Sequence, residues 1–170
     1  MATTFNGGLA IGSLNGEIRL YKDVGQNAKT LLPGLGDPIR GIDMSIDGKW
    51  IVATTQTYLL LIPTICENGK TGFEHRMGKE KPNPKKLQIH VKDIAKYKIS
   101  SLDFTTARFN NFNQSEGEHT SIVASTGKYL ITWNFRMLLK NRLRSYKITE
   151  IPGGEKVVDT QFMFNNDEKI

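Results

Sequence analysis

Small and apolar residues return along this chain in paired bursts, each pair split by a short polar turn. Gly8-Leu9-Ala10-Ile11-Gly12-Ser13 precedes Leu14-Asn15-Gly16 and then Glu17-Ile18-Arg19-Leu20-Tyr21. Trp50-Ile51-Val52-Ala53-Thr54-Thr55 precedes Gln56-Thr57 and then Tyr58-Leu59-Leu60-Leu61-Ile62. Ser121-Ile122-Val123-Ala124-Ser125 precedes Thr126-Gly127-Lys128 and then Tyr129-Leu130-Ile131-Thr132-Trp133. Bursts this short, joined by Gly, Asn or Thr, predict antiparallel hairpins and leave no room for the length of a typical helix. Tyr21 and Ile62 lie 41 positions apart. A period of about 40–45 residues with this content marks a β-propeller blade.

The intervening segments extend the blades. Residues 27–36 form a Gly/Pro-punctuated loop with room for an outer strand at Thr30-Leu31-Leu32. Ile39, Ile42, Met44 and Ile46 fall near strand spacing, and Asp47-Gly48 is a strong hairpin turn. The run from Leu59 to Ile62 has no polar face, so it suits a strand buried on both sides between neighbouring blades. The third unit starts late, because Ile62 and Trp133 lie 71 positions apart. The surplus matches residues 70–98, read as a basic insertion in which Leu87-Gln88-Ile89-His90-Val91 alternates like a strand. Pro82-Asn83-Pro84 inside it resists regular structure. Ser101-Leu102-Asp103-Phe104 opens the third blade, and a loop over 110–119 leads to the burst at Ser121. One or two helical turns are expected over 135–144, an outer strand over 146–151, and the first strand and turn of a further blade over 157–167.

The expected architecture is therefore all-β: a partial, WD-repeat-like β-propeller of about two full blades with part-blades at each end. Its divisions are a part-blade 1–37, a blade 38–69, the basic insertion 70–98, a blade 99–152 and the start of a next blade 153–170. Propellers close with about four to eight blades, so this reading expects a fragment of a larger ring, with open sheet edges that need partners.

Charge sharpens one part of this picture. The chain of 170 residues carries a net charge of +6 and a pI near 9.4. Residues 70–98 hold nine Lys or Arg against three acidic residues, a local excess equal to that of the whole chain. Such a stretch attracts acidic proteins, anionic membrane surfaces or, less well, nucleic acid. Only Phe73 and Tyr97, at its ends, are available to stack on bases. Lys79, Lys81, Lys85 and Lys86 are the candidate partner-binding residues. No apolar run reaches the roughly 18 residues of a membrane helix. The first nine residues lack the charged and apolar regions of a secretory signal. The single cysteine, Cys66, has no internal disulfide partner. These features favour a cytoplasmic location, with the nucleus as the alternative.

Catalytic chemistry finds little support. Asn68-Gly69-Lys70-Thr71 has the tail of a phosphate-binding loop, but the required earlier Gly is replaced by Thr64, so a plain turn is expected. His75, His90 and His119 lack ligand spacing, and Cys66 lacks a neighbouring partner. Asp37, Asp43, Asp47 and Asp103 lie near turns and strand starts, where cross-blade hydrogen bonding is the expected role. Trp50 and Trp133 are expected to pack in blade cores. No catalytic, cofactor-binding or metal-ligating residue is assigned.

Four stretches carry a family resemblance. They are residues 16–39, with Leu32-Pro33-Gly34-Leu35-Gly36-Asp37-Pro38-Ile39 at their end; Asp47-Gly48-Lys49-Trp50 with Thr57-Tyr58-Leu59-Leu60-Leu61-Ile62; Phe104-Thr105-Thr106-Ala107-Arg108-Phe109-Asn110; and Thr120-Ser121-Ile122-Val123 with Ser125-Thr126-Gly127 and Ile131-Thr132-Trp133-Asn134. In this order they resemble the C-terminal propeller-like domain of the vacuolar import and degradation protein twenty-seven family, whose plant members are called defective embryo and meristems proteins. The resemblance implies a cytoplasmic, non-enzymatic scaffold that docks protein partners in delivery of cytosolic proteins to the vacuole for degradation. An electrostatic adaptor for anionic membrane or nucleic acid, working through residues 70–98, is the alternative. Family members are much longer, with the propeller preceded by an N-terminal region that includes a pleckstrin-homology-like part. The resemblance transfers no catalytic or ligand residues.

Overall fold

Each paired burst supplies the two middle strands of a four-stranded antiparallel sheet in the computed structural model, which describes residues 1–4, 6–79, 81–110 and 121–162. The first sheet orders β1 (Ala2–Thr3), β2 (Leu9–Gly12), β3 (Ile18–Tyr21) and β4 (Thr30–Leu32). The second orders β5 (Gly41–Met44), β6 (Trp50–Thr54), β7 (Leu59–Pro63) and β8 (Lys85–Leu87). The third orders β9 (Arg108–Asn110), β10 (Ser121–Thr126), β11 (Tyr129–Asn134) and β12 (Tyr146–Glu150). Two short helices interrupt this pattern, α1 (Val91–Lys96) and α2 (Phe135–Leu139). Strand β5 neighbours both β1 and β9, as the inner strands of successive blades do.

The turns explain the registers. At the β5–β6 hairpin the Asp47 carboxylate accepts from the Ser45 hydroxyl at 2.6 Å and from the Lys49 N–H at 3.0 Å. Gly48 then takes a φ of 67°, a region that suits glycine. At the β6–β7 hairpin the Thr55 N–H donates to the Tyr58 carbonyl at 3.0 Å. This turn pairs Thr54 with Leu59 and sets every later pair down to Trp50 with Pro63.

Because side chains alternate across a strand, β6 and β7 divide their apolar residues between two cores. Ile51, Ala53, Leu60 and Ile62 join Ala10, Ile18, Leu20 and Leu32 of the first sheet. Val52, Leu59 and Leu61 join Ile122, Ala124, Ile131 and Trp133 of the third. All these side chains are fully buried. Each large one contributes about 1.5–3 kcal/mol of burial. The Leu59 to Ile62 run is thus buried on both faces, as its unbroken apolar character predicts. Trp133 anchors the second core between Phe104 and Tyr146, with ring centroids 6.1 and 5.9 Å away.

Polar bonds cross between sheets as well. The Asp43 carboxylate accepts from the Phe109 N–H, and the Thr54 hydroxyl oxygen accepts from the Ala107 N–H, both at 2.8 Å. Arg40 pairs with Asp103 at 2.7 Å. Between the first and second sheets the Ser13 carbonyl accepts from the Ile39 N–H at 3.0 Å.

The all-β partial propeller is as expected, but its bookkeeping along the chain differs. The segment 1–37 holds a complete four-stranded sheet, because β1 and β4, two and three residues long, flank its central hairpin. The segment 70–98 is not separate from the blades. Its Phe73 and Met77 are buried in the core shared by the first two sheets. The chain then returns, and β8 pairs with β7, setting Leu87 opposite Leu59. A boundary at residue 70 therefore cuts through the second sheet. The alternation over 87–91 is not a strand: β8 ends at Leu87, and the His90 imidazole accepts from the Lys92 N–H to cap α1. Residues 101–104 contribute a single bridge, Phe104 with Thr126, and the strand proper begins at Arg108. Residues 153–162 hold no strand. The remainder of the expected next blade, 163–170, and the loop 111–120 lie outside the described residues.

Candidate functional site

Thr30 organises a strongly charged recess on the surface. It is buried on β4, the outer edge strand of the first sheet. Its hydroxyl donates to the His75 carbonyl and its oxygen accepts from the Met77 N–H, each at 3.2 Å. These two bonds lash residues 75–77 along the sheet edge. Met77 turns inward and is buried, while Arg76, Gly78, Lys79 and Lys81 remain exposed. Arg19 on β3, Lys29 just before β4 and Leu31 lie across from them. The result is an open groove of about 640 Å³ between the sheet and the returning chain.

Every ionisable residue in the groove's described lining is a cation: Arg19, Lys29, Arg76, Lys79 and Lys81. Arg19 is paired with Glu17 at 3.0 Å. That pair is exposed, so it holds Arg19 weakly, by about 0–1 kcal/mol. Lys29, Arg76, Lys79 and Lys81 form no ion pair among the described residues. Five cations from three separate chain segments thus converge, and among the described residues only Arg19 is paired. Such an array is an attractor for anions.

The structure separates the four lysines singled out from the sequence. Lys79 and Lys81 line the groove. Lys85 and Lys86 are turned to other tasks. The Lys85 ammonium donates to the Leu138 carbonyl at 3.1 Å and lies 5.9 Å from the centre of the Trp50 ring. Lys86 stands 4.3 Å over the Tyr58 ring. Arg19 and Lys29 are groove residues that sequence reasoning missed. They precede Lys79 by 60 and 50 positions. No local pattern marks them; only the pairing of β3 with β4 and the Thr30 bonds bring them near.

The other candidates resolve into structural roles. Residues 66–70 form a turn in which the Cys66 N–H donates to the Lys70 carbonyl at 2.9 Å. Ile65 bridges Thr71 beside it, so this is a hairpin end and not a phosphate loop. Asp37 accepts from the Tyr58 hydroxyl at 2.6 Å. Burial and this carboxylate push the Tyr58 hydroxyl pKa up to about 12. Tyr146 is raised too, first by burial and then by its bond to Asp93 at 2.5 Å. His119 lies outside the described residues. A second hollow, of about 230 Å³, is lined by Lys22 and Lys49 but also by Asp23, Asp47 and Glu74, so its charges offset one another. Among the described residues no cluster of three His, Cys, Asp or Glu is placed to hold a metal ion. No described helix is long and apolar enough to cross a membrane.

The chain can be compared with known proteins on this basis. The family model described as VID27 C-terminal WD40-like domain matches residues 1–170. Vacuolar import and degradation protein 27 of Schizosaccharomyces pombe (strain 972 / ATCC 24843) is 37% identical over 177 residues, covering 99% of this chain and 22% of that protein. The protein of the same name from Saccharomyces cerevisiae (strain ATCC 204508 / S288c) is 33% identical over 187 residues, covering 100% of this chain and 23% of that protein. The chain thus spans less than a quarter of the length of these relatives. Three successive four-stranded sheets with shared inter-sheet cores are the geometry such a domain requires, and the chain belongs to the VID27 C-terminal WD40-like domain family.

Proposed function

We propose that this chain is a non-catalytic protein-docking module acting in the cytoplasm, in the delivery of cytosolic proteins to the vacuole for degradation. The observation that carries this reading is the family match over the whole chain, joined to a propeller-type framework whose inter-strand hydrogen bonds and buried cores hold its surfaces rigid. The relatives' printed names supply the process. A rigid all-β surface recognises partners without paying to order itself first, which is how preorganised interfaces gain affinity. The carboxylates of Asp37, Asp43 and Asp47 are engaged in a turn and in bonds between chain segments, which favours recognition over reaction.

The test is turnover of pulse-labelled cytosolic proteins in cells lacking the protein, with their vacuolar fraction followed in parallel. Slower turnover and a smaller vacuolar fraction, both restored by the wild-type protein, are expected. Unchanged turnover would reject the reading.

A further inference from the structure

We propose that the groove between β4 and residues 76–79 and 81 is a docking site for an extended acidic peptide segment of a partner protein; this rests on the docking function proposed above and names its partner class. Charge selects the class first. Arg19, Lys29, Arg76, Lys79 and Lys81 line the groove with no acidic residue among its described lining. Complementary charge of this kind governs encounter rate and register.

Shape and chemistry narrow it further. The five cations are spread over three chain segments around about 640 Å³, more than a single small anion can contact at once. A narrow chain bearing several carboxylates can reach them in series, at ~3.3 Å per residue. Half-buried Leu31 lies among the cations and offers aliphatic contact to an intervening side chain of such a peptide. No aromatic residue is among the described lining, so bases of a nucleic acid would find nothing to stack on. The groove is recessed between a sheet edge and a returning chain, whereas a flat bilayer surface meets protruding side chains.

The lashing at Thr30 keeps the two walls in place. Residues 75–77 cannot drift from β4 without breaking two hydrogen bonds made by a buried side chain. The wall at residues 75–77 is therefore held in place before any ligand arrives.

Fluorescence anisotropy of the intact protein with a labelled peptide of about ten residues, alternating glutamate with leucine and serine, tests this. Three variants are compared: wild type, Arg76→Glu/Lys79→Glu/Lys81→Glu, and the control Lys140→Glu/Arg142→Glu/Lys147→Glu, which changes net charge equally on exposed residues elsewhere. Circular dichroism melts confirm that all three fold. The groove variant should weaken binding by about tenfold or more and the control by less than about threefold. Wild-type binding should fall as salt rises from about 0.1 M to about 1 M, where screening shortens from about 10 Å to about 3 Å. Absence of peptide binding, or equal loss in both variants, overturns the proposal. So does groove-dependent binding of phosphatidylserine vesicles or oligothymidine without peptide binding, which would make the site a lipid or nucleic-acid contact. Protein turnover in cells separates this proposal from the broader reading. Restored turnover with no peptide binding removes only the acidic peptide. Peptide binding without any effect on turnover removes only the degradation role.

Discussion

The Asp43 carboxylate of the second sheet accepts the Phe109 backbone N–H of the third at 2.8 Å. Two residues that lie 66 positions apart in the chain are thereby joined at the inner strands, beside the Thr54–Ala107 bond. Both bonds use a side chain of one blade to satisfy a backbone donor of the next, where no ladder partner is available. A buried donor left without a partner costs about 1–3 kcal/mol. Asp43→Ala should therefore lower stability by about that amount, measured by urea unfolding. Asp43→Asn retains an acceptor oxygen and should recover at least half of the loss. Equal losses for both variants would show that the negative charge, and not the acceptor, matters.

Tyr58 gives a pH dependence. Its hydroxyl donates to Asp37, and its pKa of about 12 in the folded chain exceeds the ordinary value of 10.0. The folded state thus holds a proton that the unfolded state releases. The associated stability is fully present below pH 10 and is lost as pH rises towards 12. Tyr146 is raised in the same direction and adds to the slope. Melting temperature should fall over this window in the wild type, and less steeply in Tyr58→Phe. Parallel curves for the two proteins would refute the assignment.

Gly34 marks a place where two loops touch. A Cβ there would overlap the Gly16 carbonyl oxygen, a backbone atom that cannot rotate away. Gly34→Ala should force the 13–17 turn and the 33–39 loop apart and cost about 1–3 kcal/mol. Gly25→Ala meets nothing within 4 Å, but its φ of 87° makes it a control for backbone strain alone. A smaller loss at Gly25 than at Gly34 is the expected thermal-melt result.

How far the chain can be read without its structure depends on element length. The central hairpins were legible because strands of four to six patterned residues flank a recognisable turn, and because Leu59 to Ile62 has no polar face. The flanking strands were harder. Strands β1, β8 and β9 are only two or three residues long, too short for period two to stand out. β8 is the sharpest case. It follows Pro84, begins with two lysines and has a single buried apolar residue, Leu87. Pairing with β7, not its own pattern, makes it a strand. The groove was half legible. Its basic chain segment shows in composition, but the opposing Arg19 and Lys29 are placed by sheet register and by two hydrogen bonds at Thr30.

The same lesson separates the lysines, and it yields a stability test that charge counting would not suggest. Lys85 is half-buried, donates to the Leu138 carbonyl and lies near the Trp50 ring, which itself packs edge-on against Phe135 at 6.0 Å. It ties β8 to α2 across the second core. Truncation removes a charged donor from a carbonyl at a helix end and a cation from an aromatic face, together about 1–2 kcal/mol. Lys79 and Lys81 are exposed, and truncating either should change stability by less than about 0.5 kcal/mol. For a chain of this size 1 kcal/mol moves the melting temperature by about 2–4 °C. Lys85→Ala should therefore melt several degrees lower than Lys79→Ala or Lys81→Ala, while the acidic peptide should bind Lys85→Ala as it binds the wild type. A Lys85→Ala protein that melts normally but loses the peptide would move Lys85 from the scaffold into the groove.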